Sequence, residues 1–147
     1  DFEYIIVGEG SEIQEIKFAI HQLGLIDKVR LLGKKTHSEV MSIMSSADIY
    51  IQFSISEGFC NAVLEAQALG KLVIASEVGG LKENIVHNKT GWLVAPHNAE
   101  SFASKITEIY ELPVSSKKEV TEAAVNRVRE HFTIDIQTQK FIDFYKF

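Results

Sequence analysis

The stretch Ile49-Tyr50-Ile51-Gln52-Phe53-Ser54-Ile55-Ser56-Glu57-Gly58-Phe59-Cys60-Asn61-Ala62-Val63-Leu64-Glu65-Ala66 begins as a β-branched strand, passes through a short polar loop and opens a helix. Open α/β sheets bind ligands at the carboxyl ends of their strands, where such a loop lies. Gly58 lets the chain turn tightly. The N–H groups from Phe59 through Ala62 are then first-turn donors that can hold an anion with help from the helix dipole. Glu57 stands in the loop before these donors and Glu65 about a turn further along the helix, so two carboxylates could grip hydroxyls at two ends of one ligand. Val63, Leu64, Ala66 and Ala68 make this helix apolar nearly all round. Glu65 is therefore expected to be partly buried and to need a partner. A plainer account has Glu57 merely favouring a positive helix end and Glu65 on a solvated face.

Working outward, the same alternation runs along the chain. Tyr4-Ile5-Ile6-Val7, Val29-Arg30-Leu31-Leu32, Leu72-Val73-Ile74-Ala75 and Trp92-Leu93-Val94 read as further strands. Between them lie apolar stripes at helical spacing: Ile13, Ile16, Ile20 and Leu23, then Val40, Ile43, Met44 and Ala47. Short strands alternating with amphipathic helices predict a Rossmann-like, doubly wound parallel sheet of about five strands with helices on both faces. After Pro96 the strand signal stops and a helical tail follows. Asn98 is placed to cap its first helix, and Ser116 with Glu119 matches a capping box for its second. Phe141, Phe144 and Tyr145 mark the third.

Composition bounds the function. The 147 residues are one domain's worth, and 46% hydrophobic with 24% charged is ordinary for a chain with a core. Fifteen basic against twenty acidic residues gives −5, the wrong sign for a general nucleic-acid binder. No apolar run approaches a membrane span and no signal segment opens the chain, so a cytoplasmic protein is expected. Cys60 is the only cysteine, and His21, His37, His87, His97 and His131 have no paired-ligand spacing, which argues against a protein-held metal. The chain opens at Asp1 inside a predicted strand, and a fragment of something longer is expected.

Several ligand motifs fail on inspection. Gly8-Glu9-Gly10-Ser11 invites a dinucleotide loop, yet Ile13 stands where a third glycine belongs and Glu9 would face the phosphates. A tight turn with Ser11 capping the next helix is the better reading. The strand ending at Phe53-Ser54 lacks the Asp of a receiver domain, and no G-x-S-x-G frame supports a hydrolase. Lys34, Lys35 and Lys82 could help neutralise phosphate but read more simply as solvated lysines. Gly79-Gly80 reads as a loop over the ligand, Asn88-Lys89-Thr90 as a turn, and Trp92 as packed beneath it.

The motif S-x-x-E-G-F-x-N-x-x-L-E-A-x-A-x-G-K-x-V-I-A-S, continued by Gly79-Gly80-Leu81-Lys82-Glu83 and Asn88-Lys89-Thr90-Gly91-Trp92-Leu93-Val94-Ala95-Pro96, resembles the carboxyl-terminal domain of family-four retaining glycosyltransferases with the GT-B fold. The resemblance covers nearly the whole chain. It implies that residues 1–147 form a single nucleotide-sugar-binding domain of a two-domain transferase moving a sugar from a nucleoside diphosphate to an acceptor hydroxyl, in polysaccharide or glycolipid assembly. Glu57 would then be the catalytic carboxylate beside the donor sugar and Glu65 would take the ribose hydroxyls. Backbone from Gly58 through Phe59 and Cys60 to Asn61 would contact the sugar, amides of Ala62 and Val63 the distal phosphate, and the Gly33-Lys34 turn the base. No cofactor or metal is implied. The acceptor-binding amino-terminal domain would be missing, any membrane association would run through it, and this fragment alone would be inactive. A nucleotide-sugar epimerase of similar fold and a non-catalytic sugar-nucleotide binding domain are the competing readings. Cys60 stands where the family has glycine, and either narrows the sugar pocket or points away.

The resembled fold orders its strands three, two, one, four, five, six, and this chain has no counterpart of strand one. Either the Tyr4–Val7 strand closes onto the Ile49–Phe53 strand, giving two, one, three, four, five, or another polypeptide fills the slot; closure, which needs no partner, is the expectation.

Overall fold

A computed structural model of the chain describes residues 2–146. The elements run β1 (Tyr4–Ile6), α1 (Ile13–Gln22), β2 (Val29–Leu31), α2 (His37–Ser46), β3 (Ile49–Gln52), α3 (Asn61–Ala68), β4 (Leu72–Ser76), α4 (Leu81–Asn84), β5 (Trp92–Val94), α5 (Ala99–Glu111), α6 (Val114–His131) and α7 (Ile134–Tyr145). Every strand pairing is parallel, as the alternation of strands and helices requires, and the class is α/β.

The chain forms two compact units, residues 1–43 and 44–147. In the first, β1 pairs with β2 in the register Tyr4 to Val29 through Ile6 to Leu31. Ile13, Ile16 and Ile20 of α1 are half-buried, but Leu23 is 70% exposed, because it falls past the end of the helix and outside the stripe. Ser11 does not cap α1 either. Glu12 takes the cap position without a side-chain bond, and the Ser11 hydroxyl donates to the Glu12 carboxylate instead.

In the second unit β4 lies between β3 and β5 and is buried at all five positions. Leu72 and Ile74, with Ile49, Ile51, Trp92 and Val94, pack against Phe102, Ile106 and Ile109 of α5. Alternation turns Val73 and Ala75 to the opposite face, where α3 and α6 cover the sheet. Asn98 caps α5 as expected, its Oδ1 accepting from the Ser101 amide at 2.8 Å. The Ser116/Glu119 capping box is not formed, because α6 starts earlier, with Pro113 at the cap and the Lys117 amide bonding its carbonyl. Trp92 is buried in the core, and the Asn88–Thr90 segment is a turn in which Asn88 takes a φ of 62°.

The closed strand order is not formed. Among the described residues no ladder joins β1 to β3, and the five strands make two sheets, β1-β2 and β3-β4-β5. The reason lies in burial. Closure is demanded of strands sealed from water on both faces, whereas β3 is only half-buried at its four positions and β1 has one exposed and two half-buried residues. The edges of β1 and β3 are left for another strand to pair, the alternative to closure.

Candidate functional site

The loop from Phe53 to Cys60 leaves the carboxyl end of β3 and enters α3. Glu57 and Glu65 are both half-buried, so neither is a freely solvated surface carboxylate. Both act electrostatically on one group, the Cys60 thiol at the start of α3, with Glu57 the stronger of the two. Glu57 stands in the loop before α3 and Glu65 lies within that helix. Glu65 has interactions of its own, which meets the expectation that a half-buried carboxylate is partnered.

Cys60 takes the cap position of α3 with an extended backbone. The residue is 8% exposed, so the sulfur is largely packed within the protein. Burial pushes the thiol up from its ordinary range. The Val63 amide opposes that shift, Glu57 adds to it, and smaller effects of the Ala62 amide and Glu65 follow. The Cys60 N–H is already used, donating at 3.1 Å to Oδ1 of Asn84.

Gly58 corrects a sequence argument. Its φ lies outside the left-handed region, and a Cβ there would meet nothing within 4 Å, so the fold itself does not require glycine. What glycine leaves there is open space beside the helix start. The requirement falls instead on Gly79 and Gly80. A Cβ on Gly79, which sits at a φ of +41°, would overlap the Glu57 carbonyl oxygen, and one on Gly80 would stand 2.5 Å from the Gly58 carbonyl oxygen. The Gly80 amide donates to the Glu57 carbonyl at 3.2 Å. This loop is thus a brace fitted directly against the Glu57-Gly58 backbone.

A second brace comes from the carboxyl-terminal helices. Arg127 of α6 donates from Nη1 to the Asn84 carbonyl at 3.0 Å and from Nη2 to the Glu83 carbonyl at 2.8 Å, capping the end of α4. Its guanidinium lies 4.8 Å from the centre of the Phe132 ring, and that ring lies 5.7 Å from the ring of Phe59. Phe59, Asn61 and Leu64 line one side of a cavity of about 550 Å³, and His131, Phe132, Gln137, Lys140 and Phe141 line the other.

Sequence reading missed Asn84, Arg127 and a set of polar side chains under Glu57. Gln52 Nε2 and Ser54 Oγ both donate to Glu57 Oε2, at 3.3 and 3.2 Å, and Gln52 Nε2 also donates to Ser54 Oγ at 2.8 Å. A polar Gln at a strand position that could hold an aliphatic residue was the available signal. Gly33 and Lys34 belong to the first unit. Gly33 sits at the end of β2 with a φ of +64°, its carbonyl accepts from the Gly8 amide at 2.9 Å, and Lys34 is exposed. Lys35 and Lys82 are each engaged by a carboxylate, Glu39 at 3.4 Å and Glu77 at 3.3 Å. Among the described residues no group of three or more His, Cys, Asp or Glu forms a metal-binding cluster, and no helix is long and apolar enough to cross a membrane.

This fold, with a carboxylate-flanked helix start at the end of a parallel strand, is that of GT-B glycosyltransferases. A glycosyltransferase from Rickettsia africae ESF-5 superposes with a TM-score of 0.91 at 34% identity, over 99% of this chain and 40% of that one. Anabaena Alr3699/HepE, solved in complex with UDP and glucose, shares the fold at a TM-score of 0.89 and 24% identity, over 96% of this chain and 39% of that one. The amylovoran biosynthesis glycosyltransferase AmsK of Erwinia amylovora is 37% identical over 109 residues, which is 70% of this chain. The chain belongs to the family Glycosyl transferases group 1, which matches residues 1–127. It spans 27% of AmsK's length.

Proposed function

We propose that this chain is the donor-binding domain of a two-domain, retaining glycosyltransferase that transfers a sugar from a nucleoside diphosphate to an acceptor hydroxyl. The observation that carries the reading is the placement of Glu57 and Glu65, both half-buried, around one helix start at the carboxyl end of β3. The biosynthetic role named for AmsK supports a place in polysaccharide assembly.

In this reading Glu65 accepts hydrogen bonds from the ribose diol, and Glu57 addresses the donor sugar. The amides of Ala62 and Val63, with the α3 dipole, face the distal phosphate. As the bond from the anomeric carbon to the phosphate oxygen breaks, negative charge grows on the diphosphate, where these fixed dipoles are aimed. The acceptor oxygen bonds to the same carbon, and its proton leaves with the departing group. Glu57 stabilises the positive charge that develops on the sugar and orients it. The open space at Gly58 admits the sugar close to the backbone. The Cys60 thiol, on which the same Val63 and Ala62 amides act, is the immediate neighbour of that phosphate seat.

An acceptor must be held against the donor in a closed cleft, so the isolated chain is expected to be inactive. The reading is tested by thermal unfolding of the full-length protein across a panel of nucleoside-diphosphate sugars. One base class should raise the midpoint in a concentration-dependent way. No rise with any of them would overturn it.

A further inference from the structure

We infer that Tyr50 and Gln52 are positioning residues that hold the Glu57 carboxylate from beneath. The inference rests on the donor-site reading of Glu57 and assigns two residues that the sequence motif does not contain.

Tyr50 and Gln52 are two apart on β3 and so project from the same face. Tyr50 Oη donates to Gln52 Oε1 at 2.6 Å, and Gln52 Nε2 donates onward to Ser54 Oγ at 2.8 Å and Glu57 Oε2 at 3.3 Å. All of these bonds are partly buried. Their direction is dictated by chemistry. An ionised carboxylate can only accept, so Gln52 has to present its NH2 to Glu57 and its carbonyl to the other side. That carbonyl then needs a donor, which the Tyr50 hydroxyl supplies. The carboxylate thus fixes which way the amide faces, and the Tyr50 hydroxyl, able to donate or accept, satisfies the carbonyl left on the other side and holds the amide in place. Both bonds to the carboxylate, from Gln52 and from Ser54, go to Oε2; neither goes to Oε1. One oxygen is anchored by the protein and the other is left to address the ligand.

A flexible glutamate in a loop would otherwise sample several rotamers. Anchoring it before the donor arrives removes that cost from the reaction step. The effect belongs in turnover and not in nucleotide affinity, because the nucleotide is held by other groups.

The test is steady-state kinetics on the full-length enzyme with Gln52→Met, Gln52→Glu, Tyr50→Phe, Glu57→Gln and the double variants. Gln52→Met keeps length and shape while removing donor and acceptor, and should lower kcat about 10- to 100-fold, the scale of a small misplacement at a reacting centre. Nucleoside diphosphate affinity, measured by calorimetry with UDP, should change less than about twofold, since ground-state contacts are intact. Gln52→Glu retains the acceptor for Tyr50 but sets a charge against Glu57, and should be at least as impaired as Gln52→Met. Tyr50→Phe removes one hydroxyl without altering the strand, should lower kcat less than Gln52→Met, and should add nothing in the Gln52→Met background. Melting curves within a few degrees of wild type confirm that the variants are folded.

Additive losses of Tyr50→Phe and Gln52→Met, or of Gln52→Met and Glu57→Gln, would overturn the relay, as would Gln52→Glu outperforming Gln52→Met. If Glu57→Gln loses turnover while the Gln52 and Tyr50 variants keep it, the relay is overturned and the role of Glu57 stands. If Glu57→Gln keeps full turnover, the role of Glu57 fails and the relay with it.

Discussion

The amide of Gly80 donates to the carbonyl oxygen of Glu57 at 3.2 Å, and the Gly80 α-carbon is so close to the same loop that a Cβ would stand 2.5 Å from the Gly58 carbonyl. Backbone cannot yield there as a flexible side chain would. Gly80→Ala is expected to cost about 1–3 kcal/mol, the usual penalty of overpacking. Gly58→Ala, whose Cβ would enter open space, should stay within about 0.5 kcal/mol of wild type. Urea unfolding of the two variants checks the contrast. Equal midpoints would remove the brace from the account.

Arg127 holds two carbonyls at the end of α4 and lies over the Phe132 ring. Lysine carries the charge but has neither the fork nor the flat face. Arg127→Lys is therefore expected to behave like Arg127→Met, each losing about 1.5–3 kcal/mol in denaturant unfolding, the range for hydrogen bonds to a charged group. Full rescue by lysine would show that charge alone matters.

Cys60 should behave as an inert thiol in the folded protein, because burial raises its pKa. Alkylation by iodoacetamide near neutral pH should be much slower than in urea-unfolded chain. The linkage has a definite sign. With the folded thiol raised, the unfolded chain binds fewer protons above about pH 8.5, so this group makes stability fall as pH rises through that range. A Cys60→Ala variant should lose that part of the pH dependence. Fast labelling of folded protein would contradict the packing of the sulfur.

How far the sequence could be read depended on whether a feature was local. The strand-loop-helix unit around Glu57 and the cap at Asn98 follow from neighbouring residues, and both are formed. The capping boxes show the limit. Ser116 and Glu119 carry the pattern but lie inside α6, because Pro113 starts the helix earlier. Thr36 and Glu39 carry the same pattern and do form it, with the Thr36 amide on Glu39 Oε2 at 2.8 Å and the Glu39 amide on Thr36 Oγ1 at 3.4 Å. Only the position of the true helix start separates the two cases. The need for glycine at Gly80, the grip of Arg127 on α4 and the bond from Cys60 to Asn84 join residues 22 to 44 positions apart, and no local pattern encodes them. The strand order failed for a related reason: pairing was inferred from an assumed seal against water that β1 and β3 do not have.

The central claim is that Glu65 grips the nucleotide and Glu57 serves the reacting sugar, and the most direct test is calorimetry of UDP binding to the full-length protein with Glu65→Ala and Glu57→Ala beside wild type. Loss of a carboxylate that accepts from a diol is expected to weaken UDP binding at least about tenfold, on the scale of 1.4 kcal/mol, in Glu65→Ala. Glu57→Ala should keep UDP affinity within about threefold while turnover falls. Unchanged UDP affinity in Glu65→Ala, where wild type binds, would contradict the assignment.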